Sequence, residues 1–109
     1  MKINEYQELA LRTANTLESD KLVLNGALGL NGEAGEVADP IKKHLFQGHE
    51  FDKENLAQEL GDICWYIAIM AEGLGYDLES IMRMNIDKLK KRYPNGFEVS
   101  RSLNREESK

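Results

Sequence analysis

Two short acidic motifs, each inside a segment with helical periodicity, constrain this chain more than any other feature of its sequence. The first lies in GLNGEAGEV at residues 29–37 and the second in QELGDI at residues 58–63. Each motif places two carboxylates three residues apart, and residues at that spacing share one face of a helix. The four acidic residues are Glu33, Glu36, Glu59 and Asp62. In both segments the pair falls on the same side of the apolar face, so two helices packed along those faces could gather all four carboxylates at one edge.

Such a gathering of carboxylates predicts a cation site. Neighbouring carboxylates repel one another and lose hydration, and the cluster is costly unless a cation neutralises it. Oxygen ligands without nearby Cys or His select Mg²⁺, Mn²⁺ or Ca²⁺. His44 and His49 lack metal-ligand spacing with each other. The motifs leave open a plainer alternative, in which two solvated helix faces carry ordinary surface glutamates.

Apolar residues recur at helical spacing in four segments, and we find no strand signal of any length. The segments are residues 3–18, 20–47, 53–72 and 78–93, with Asp20, Asp52 and Asp77 as N-caps and with Gly48 and Pro94 as stops. We therefore predict an all-α chain of four helices. It forms one domain over residues 1–97, and a polar tail over residues 98–109 is loose or lies across a neighbouring chain.

The second predicted helix carries an unusual series of glycines and a proline. The glycines recur every third residue, at Gly26, Gly29, Gly32 and Gly35. They either break the segment around residues 31–32 or let another helix approach closely. We favour close approach, because the apolar spacing keeps its phase through the glycines. Pro40 lacks an amide hydrogen and should kink this helix one turn beyond Glu36.

Extra apolar faces on the second and third helices predict a homo-oligomer. The second helix carries an additional stripe of Leu24, Leu28 and Phe46, and the third is apolar almost all round after Ile63. A small monomer cannot cover both sides of two helices. We therefore expect a partner chain to bury these faces.

Composition narrows the class of protein. The 109 residues carry a net charge of −5, which argues against polymeric nucleic acid as the main partner. Cys64 has no partner for an internal disulfide, which fits a reducing cytoplasm. The first residues lack the apolar run of a signal peptide, and no stretch is long enough to span a membrane. These features predict a cytoplasmic protein without a membrane partner.

Several polar residues have the spacing expected of phosphate contacts. Asn85, Lys88 and Arg92 form one stripe on the fourth helix, and their amide, ammonium and guanidinium groups suit phosphate oxygens. The alternative is a solvated basic helix end that is favourable against the helix dipole. Tyr66 follows Asp62 by four residues, so its hydroxyl could face the acidic site. Lys43 follows Glu36 by seven residues and could balance the cluster or contact a phosphate.

Three stretches together resemble the MazG-like nucleoside triphosphate pyrophosphohydrolases. They are GLNGEAGEV at residues 29–37, ELGDI at 59–63 and NIDKLKKRYPNGF at 85–97, and the resemblance runs from about Leu28 to Phe97. This group belongs to the all-α superfamily that also holds dimeric dUTPases and phosphoribosyl-ATP pyrophosphohydrolases. The family pattern is Glu-Glu-x-x-Glu followed by Glu-x-x-Asp. Gly32 replaces the first Glu here, and the four remaining positions are kept, so we expect activity to survive.

The resemblance implies a four-helix, bundle-like, oligomeric fold and a specific reaction. An NTP or dNTP would be cleaved between its α and β phosphates, with Mg²⁺ or Mn²⁺ as cofactor, and the reaction would clear unwanted nucleotides. Glu33, Glu36, Glu59 and Asp62 would bind metal, and Glu33 would also orient or deprotonate the attacking water. Substrate contacts would come from Tyr66, Asn85, Lys88, Arg92 and Lys43. Helix one, with a second chain of a homodimer or homotetramer, would form the base pocket.

Two other classes of protein remain as alternatives. A catalytically silent helical interaction module would use the acidic stripes as structural cation sites or solvated surface. A di-iron carboxylate bundle would need Glu-x-x-His pairs, and neither acidic motif contains a His. Within the enzyme interpretation, phosphoribosyl-ATP is a minor alternative to a plain nucleotide.

Overall fold

The computed structural model describes residues 1–14 and 17–104, and this part of the chain folds into five helices without a strand. The helices are α1 (Ile3–Leu11), α2 (Ser19–Gln47), α3 (Lys53–Gly73), α4 (Leu78–Arg92) and α5 (Val99–Leu103). They form two compact units, Met1–Leu78 and Glu79–Lys109. The prediction of an all-α chain is confirmed. None of these helices is both long enough and apolar enough to cross a bilayer.

Helix α1 is shorter than its apolar pattern predicted. The pattern continues to residue 18, but the helix ends at Leu11. The next amides bond three residues back instead of four, from Thr13 N to Ala10 O at 3.2 Å and from Ala14 N to Leu11 O at 3.0 Å. Such bonds tighten a helix end into turns. Of the remaining predicted positions, residues 15 and 16 lie outside the described residues.

Helix α2 runs unbroken through its glycines and Pro40, as the phase of its apolar residues predicted. Its predicted N-cap is wrong, because Glu18 is the cap residue and Asp20 lies inside the helix, where it accepts a hydrogen bond from the adjacent Lys21 amide at 2.9 Å. Gly48 ends the helix with a φ of 73°, a left-handed conformation that suits glycine. The kink expected at Pro40 stays a prediction.

The predicted bounds of α3 and α4 agree closely with the structure. Asp52 caps α3 by accepting a hydrogen bond from the Asn55 amide at 3.0 Å. Helix α4 begins directly after Asp77. Part of the predicted tail forms α5, and the packing of the tail across a neighbouring chain stays a prediction. From that helix Arg101 donates to the carbonyl oxygens of Arg92 and Lys91, the latter at 3.2 Å. Residues 105–109 of the predicted tail lie outside the described residues.

Close packing of α2 on α3 is the central contact of the first unit. A Cβ on Gly26 would lie 2.6 Å from the Met70 Cβ and 3.0 Å from the Tyr66 carbonyl oxygen, so only glycine fits there. A Cβ on Gly29 would overlap the Tyr66 ring. Gly32 and Gly35, by contrast, have no neighbour within 4 Å of such an atom. The close approach that we expected from the glycines therefore occurs at two of the four.

The buried amide of Gln7 ties α1 to the connection between α3 and α4. Its side chain is only 4% exposed. Its Nε2 donates to Tyr76 O at 3.1 Å and to Ala68 O at 3.4 Å, and its Oε1 accepts from Leu78 N at 2.7 Å. The first amides of a helix lack partners within the helix, and side chains commonly supply them. Gln7 does so for the first amide of α4 from another helix.

We expect Gln7→Leu to destabilise the chain by about 2–4 kcal/mol, since a side chain of similar size would leave several buried backbone groups without partners. Urea unfolding at fixed protein concentration measures this change. Glu8→Ala is the matched control, because Glu8 is the exposed neighbour on the same helix, and it should stay within about 0.5 kcal/mol of the parent. Equal stability of the two variants would show that this amide does not hold α1 in place.

The second apolar stripe on α2 is exposed in the single chain. Leu24, Leu28 and Phe46 keep 60%, 66% and 79% of their surface accessible. Leu45 beside them is 65% exposed. The sequence pattern is therefore confirmed as an uncovered apolar face, and its burial by a second copy stays a prediction.

Candidate functional site

The antiparallel pairing of α2 and α3 determines which side chains meet. Gly26 lies against Met70, and Gly29 lies against Tyr66. Residue numbers therefore rise along α2 while they fall along α3, as they do in an antiparallel helix pair. One further turn on each helix reaches Glu33 and Asp62. The glycine contacts bring the backbones of α2 and α3 close together, and the acidic residues lie one helical turn beyond these contacts.

Three carboxylates meet at this point. One carboxylate oxygen each from Glu33, Glu59 and Asp62 lies within 4.8 Å of the others. Glu33 and Glu59 are partly buried, whereas Asp62 is exposed. Glu36, the fourth predicted ligand, is exposed and stands outside this group. The structure therefore brings together three of the four predicted ligands, drawn from two helices, and we call these three residues the acidic cluster.

The electrostatics of the acidic cluster centre on Glu33. A hydrogen bond with the Glu59 carboxyl raises the pKa of Glu33 to about 7, and burial and the negative charges of Glu59, Asp62 and Glu36 act in the same direction. Glu33 therefore keeps its proton to a higher pH than an isolated carboxyl does. Proton retention is one way in which crowded carboxylates relieve their repulsion, and cation binding is another.

An orphaned oxygen supports the cation alternative. Within the described part of the chain, Oε2 of Glu33 is buried and has no hydrogen-bond partner. Buried polar atoms normally have a partner, and an exception calls for an explanation such as an ion or a water. The donor set consists only of carboxylate oxygens, which suits a hard divalent cation. The residues present therefore fit a Mg²⁺ or Mn²⁺ ion.

Two of the predicted phosphate contacts belong to the same unit as the acidic cluster. The Tyr66 ring lies over Gly29 and meets the Trp65 ring edge-on, with centroids 5.1 Å apart. Lys43 forms an ion pair with Asp39, with Nζ 2.9 Å from Oδ2, and this bond raises the pKa of Lys43. Both partners are more than two-fifths exposed, and exposed pairs contribute little. The pair therefore leaves Lys43 able to exchange Asp39 for a phosphate.

The other three predicted contacts lie on α4, in the second unit. Asn85, Lys88 and Arg92 follow one another at helical spacing on an unbroken helix, as expected. Asn85 and Lys88 are exposed, and Nε of Arg92 is buried without a hydrogen-bond partner among the described residues. Their contact with a substrate stays a prediction.

Sequence reasoning named no residue of α1 near the site, and the structure places Tyr6 there. Burial raises the pKa of Tyr6, and the Cys64 and Asp62 side chains add to this rise, so Tyr6 lies within electrostatic reach of the acidic cluster. Thr13, in the turn that follows α1, accepts a hydrogen bond from Trp65 through its Oγ1 at 2.8 Å. The place of Tyr6 in the apolar pattern of α1 was the available signal for it, and no pattern marked Thr13.

In metal-free protein, we expect the free energy of unfolding to fall as the pH rises from about 4.5 to about 7. The folded chain keeps the Glu33 proton up to a pKa of about 7, whereas the unfolded chain loses it near 4.5. In this window the folded state binds more protons, so raising the pH favours unfolding. Thermal melts with EDTA should show the fall, and Glu33→Gln should flatten it.

Saturating Mg²⁺ should also flatten this pH dependence, because a ligand of the ionised cluster stabilises the folded state. Glu50→Gln, at an exposed glutamate away from the cluster, is the control and should keep the parent pH profile. A Glu33→Gln profile that matches the parent would show that the cluster does not hold this proton.

Comparison with known proteins gives one family and two similar chains. Residues 24–97 match the family model of the MazG nucleotide pyrophosphohydrolase domain. The chain is 37% identical over 73 residues to the gene 37 protein of Mycobacterium phage L5, covering 63% of this chain and 64% of the relative. It is 33% identical over 70 residues to the uncharacterized protein YvdC of Bacillus subtilis (strain 168), covering 56% and 66%. The chain thus spans just under two thirds of these relatives, and no solved structure matches it.

Proposed function

This chain belongs to the MazG nucleotide pyrophosphohydrolase domain family, and we propose that it is a Mg²⁺-dependent nucleoside triphosphate pyrophosphohydrolase. It cleaves an NTP or dNTP between the α and β phosphates and releases a nucleoside monophosphate and pyrophosphate. The observation that supports this proposal is the meeting of Glu33, Glu59 and Asp62 from two helices. Removal of unwanted nucleotides from the cytoplasmic pool is the role that fits such a reaction.

The acidic cluster holds the metal in this proposal. Glu33, Glu59 and Asp62 supply carboxylate oxygens, and Glu36, one turn along α2, is close enough for its charge to act on Glu33. Bound there, Mg²⁺ or Mn²⁺ would neutralise triphosphate charge and make a water molecule more acidic. Glu33 has the further role of orienting that water and accepting its proton, because its Oε2 is buried without a hydrogen-bond partner among the described residues.

Cationic and polar side chains hold the triphosphate. Tyr66, Lys43, Asn85, Lys88 and Arg92 are the proposed donors to its phosphate oxygens. Positioning and charge neutralisation supply most of the catalysis in phosphoryl transfer.

The functional assembly in this proposal is a homodimer or homotetramer. The exposed face of Leu24, Leu28 and Phe46 supplies an apolar surface for a second copy. Uncovered apolar faces on a small chain commonly mark contacts between proteins. Polymeric nucleic acid and membranes have no part in this proposal.

A substrate panel with product analysis tests the proposed reaction. Canonical and modified NTPs and dNTPs, together with phosphoribosyl-ATP, are incubated with the chain and Mg²⁺, and pyrophosphate is distinguished from single phosphate. The proposal expects equal amounts of nucleoside monophosphate and pyrophosphate, with no release in EDTA. Release of single phosphate would contradict cleavage at the α–β bond. No turnover of any compound would favour a silent interaction module.

A further inference from the structure

We propose that Trp65 and Gly29 are positioning residues that hold Tyr66 at the candidate site, so that helix α1 is coupled to binding of the metal–triphosphate complex. This inference rests on the proposed function, because it gives the Tyr66 hydroxyl a phosphate oxygen to bind. It concerns only residues of the first unit.

Gly29 sets the position of the Tyr66 ring on one side. A Cβ at this position would overlap ring atoms Cδ1, Cε1 and Cζ, so the ring packs closely against the α2 backbone at Gly29. Gly29 stands four residues before Glu33, and Tyr66 stands four residues after Asp62. The ring is therefore one helical turn from the acidic cluster along both helices.

Trp65 sets the position of the ring on another side. The two rings meet at an interplanar angle of 83° with centroids 5.1 Å apart. Edge-to-face contacts of this kind are attractive because the positive edge of one ring meets the negative face of the other. With the α2 backbone and the indole both in contact, the Tyr66 ring has little freedom to turn.

The indole itself is held by the end of α1. Its Nε1 donates to Thr13 Oγ1 at 2.8 Å and to Ala10 O at 3.0 Å. Thr13 Oγ1 in turn donates to Ala10 O at 3.0 Å. Ala10 O receives no amide from four residues on because α1 ends at Leu11, and it accepts from Trp65 in addition to the Thr13 amide. The early end of α1 thus creates the anchor for Trp65.

A series of contacts therefore runs from Ala10 and Thr13 through Trp65 to Tyr66, which stands one helical turn from the acidic cluster. Residues in contact are energetically coupled, and a double-mutant cycle measures that coupling. The needed variants are Tyr66→Phe, which removes only the hydroxyl, Trp65→Phe, which removes the indole N–H, and the combination of both. Calorimetric titration with Mg²⁺ and inorganic tripolyphosphate measures affinity without the choice of a base.

We expect Tyr66→Phe to weaken binding about 10- to 100-fold, as for a hydrogen bond to a charged group. Trp65→Phe should weaken binding about 3- to 10-fold in the parent but less than about 2-fold in the Tyr66→Phe background, since a misplaced ring without its hydroxyl has nothing left to lose. The inference would be overturned if the loss of affinity in the double variant equalled the product of the losses in the two single variants. Unchanged affinity in either single variant would also overturn it.

Thr13 provides a second test that leaves the aromatic core intact. Thr13→Val removes an acceptor of the indole N–H and should weaken binding about 2- to 5-fold, whereas Thr13→Ser keeps the hydroxyl and should restore it. Gly35→Ala, on the same helix as Gly29 but facing open space, is the control and should bind as the parent does. A Thr13→Val variant that loses thermal stability but not affinity would show a merely structural role.

Failure of the proposed function has a different signature. If the parent chain neither binds Mg²⁺–tripolyphosphate nor releases pyrophosphate from any nucleotide, then the function is wrong and this inference falls with it. If the parent chain does both while the variants show no coupling, only the inference is wrong.

Discussion

Glu59→Gln and Asp62→Asn should each lower pyrophosphate release by about 10³-fold or more. Each substitution removes one carboxylate of the acidic cluster, and a bound metal commonly supplies several kcal/mol of charge stabilisation, with about 1.4 kcal/mol for every tenfold in rate. Both substitutions keep the shape of the side chain, so the helices should remain folded. Initial rates with the best substrate of the panel measure the effect.

The same variants should have a second signature, because without metal the crowded carboxylates repel one another. In EDTA, removal of one charge should leave the melting temperature unchanged or raise it. Glu54→Gln is the matched control, since Glu54 lies on α3 outside the acidic cluster and is exposed. A Glu59→Gln variant that turns over at the parent rate would reject the site, and a Glu54→Gln variant that loses activity would show that the effect is not specific to the cluster.

Gly26→Ala should lower the free energy of unfolding by about 2–3 kcal/mol, although alanine is the better helix former. The new Cβ would lie 2.6 Å from the Met70 Cβ and 3.0 Å from the Tyr66 carbonyl oxygen, and neither is the mobile end of a flexible side chain. The two helices would have to move apart, which would also separate the carboxylates that α2 and α3 bring together. Urea unfolding at fixed protein concentration measures the change.

Gly35→Ala is the control for this prediction because it makes the same chemical change on the same helix in open space. Helix propensity alone should then raise the free energy of unfolding, by up to about 1 kcal/mol. If Gly26→Ala proved as stable as Gly35→Ala, the close contact between α2 and α3 would not exist as described.

The spacing of the acidic motifs predicted that carboxylates from two helices meet, because this meeting depends on local helix geometry. Glu33, Glu59 and Asp62 meet because the apolar faces that flank them pack together. Glu36 is exposed and stands outside this group. The spacing did not distinguish it, because Glu59 and Asp62 are also three residues apart and both belong to the group. Its part in binding a metal stays a prediction.

Features that depend on tertiary contacts were not predictable in the same way. Glutamine is a residue type that is mostly exposed, so the sequence did not mark Gln7 as buried. Only the fold shows that its side-chain amide accepts from the first backbone N–H of α4. The apolar pattern of α1 continues past Leu11, where the chain turns, so the anchor for Trp65 was invisible in the sequence. The α5 helix was missed because Arg101 holds the last carbonyls of α4, which no local pattern indicates.

Anomalous diffraction from crystals grown with Mn²⁺ tests the central claim most directly. The claim is that carboxylates from two separate helices hold a divalent cation. It predicts an anomalous peak bounded by Glu33, Glu59 and Asp62, within coordination distance of at least one oxygen of each, and no peak there in crystals of Glu59→Gln. A well-ordered parent crystal with no peak between these three side chains, at a Mn²⁺ concentration that supports turnover, would contradict the account.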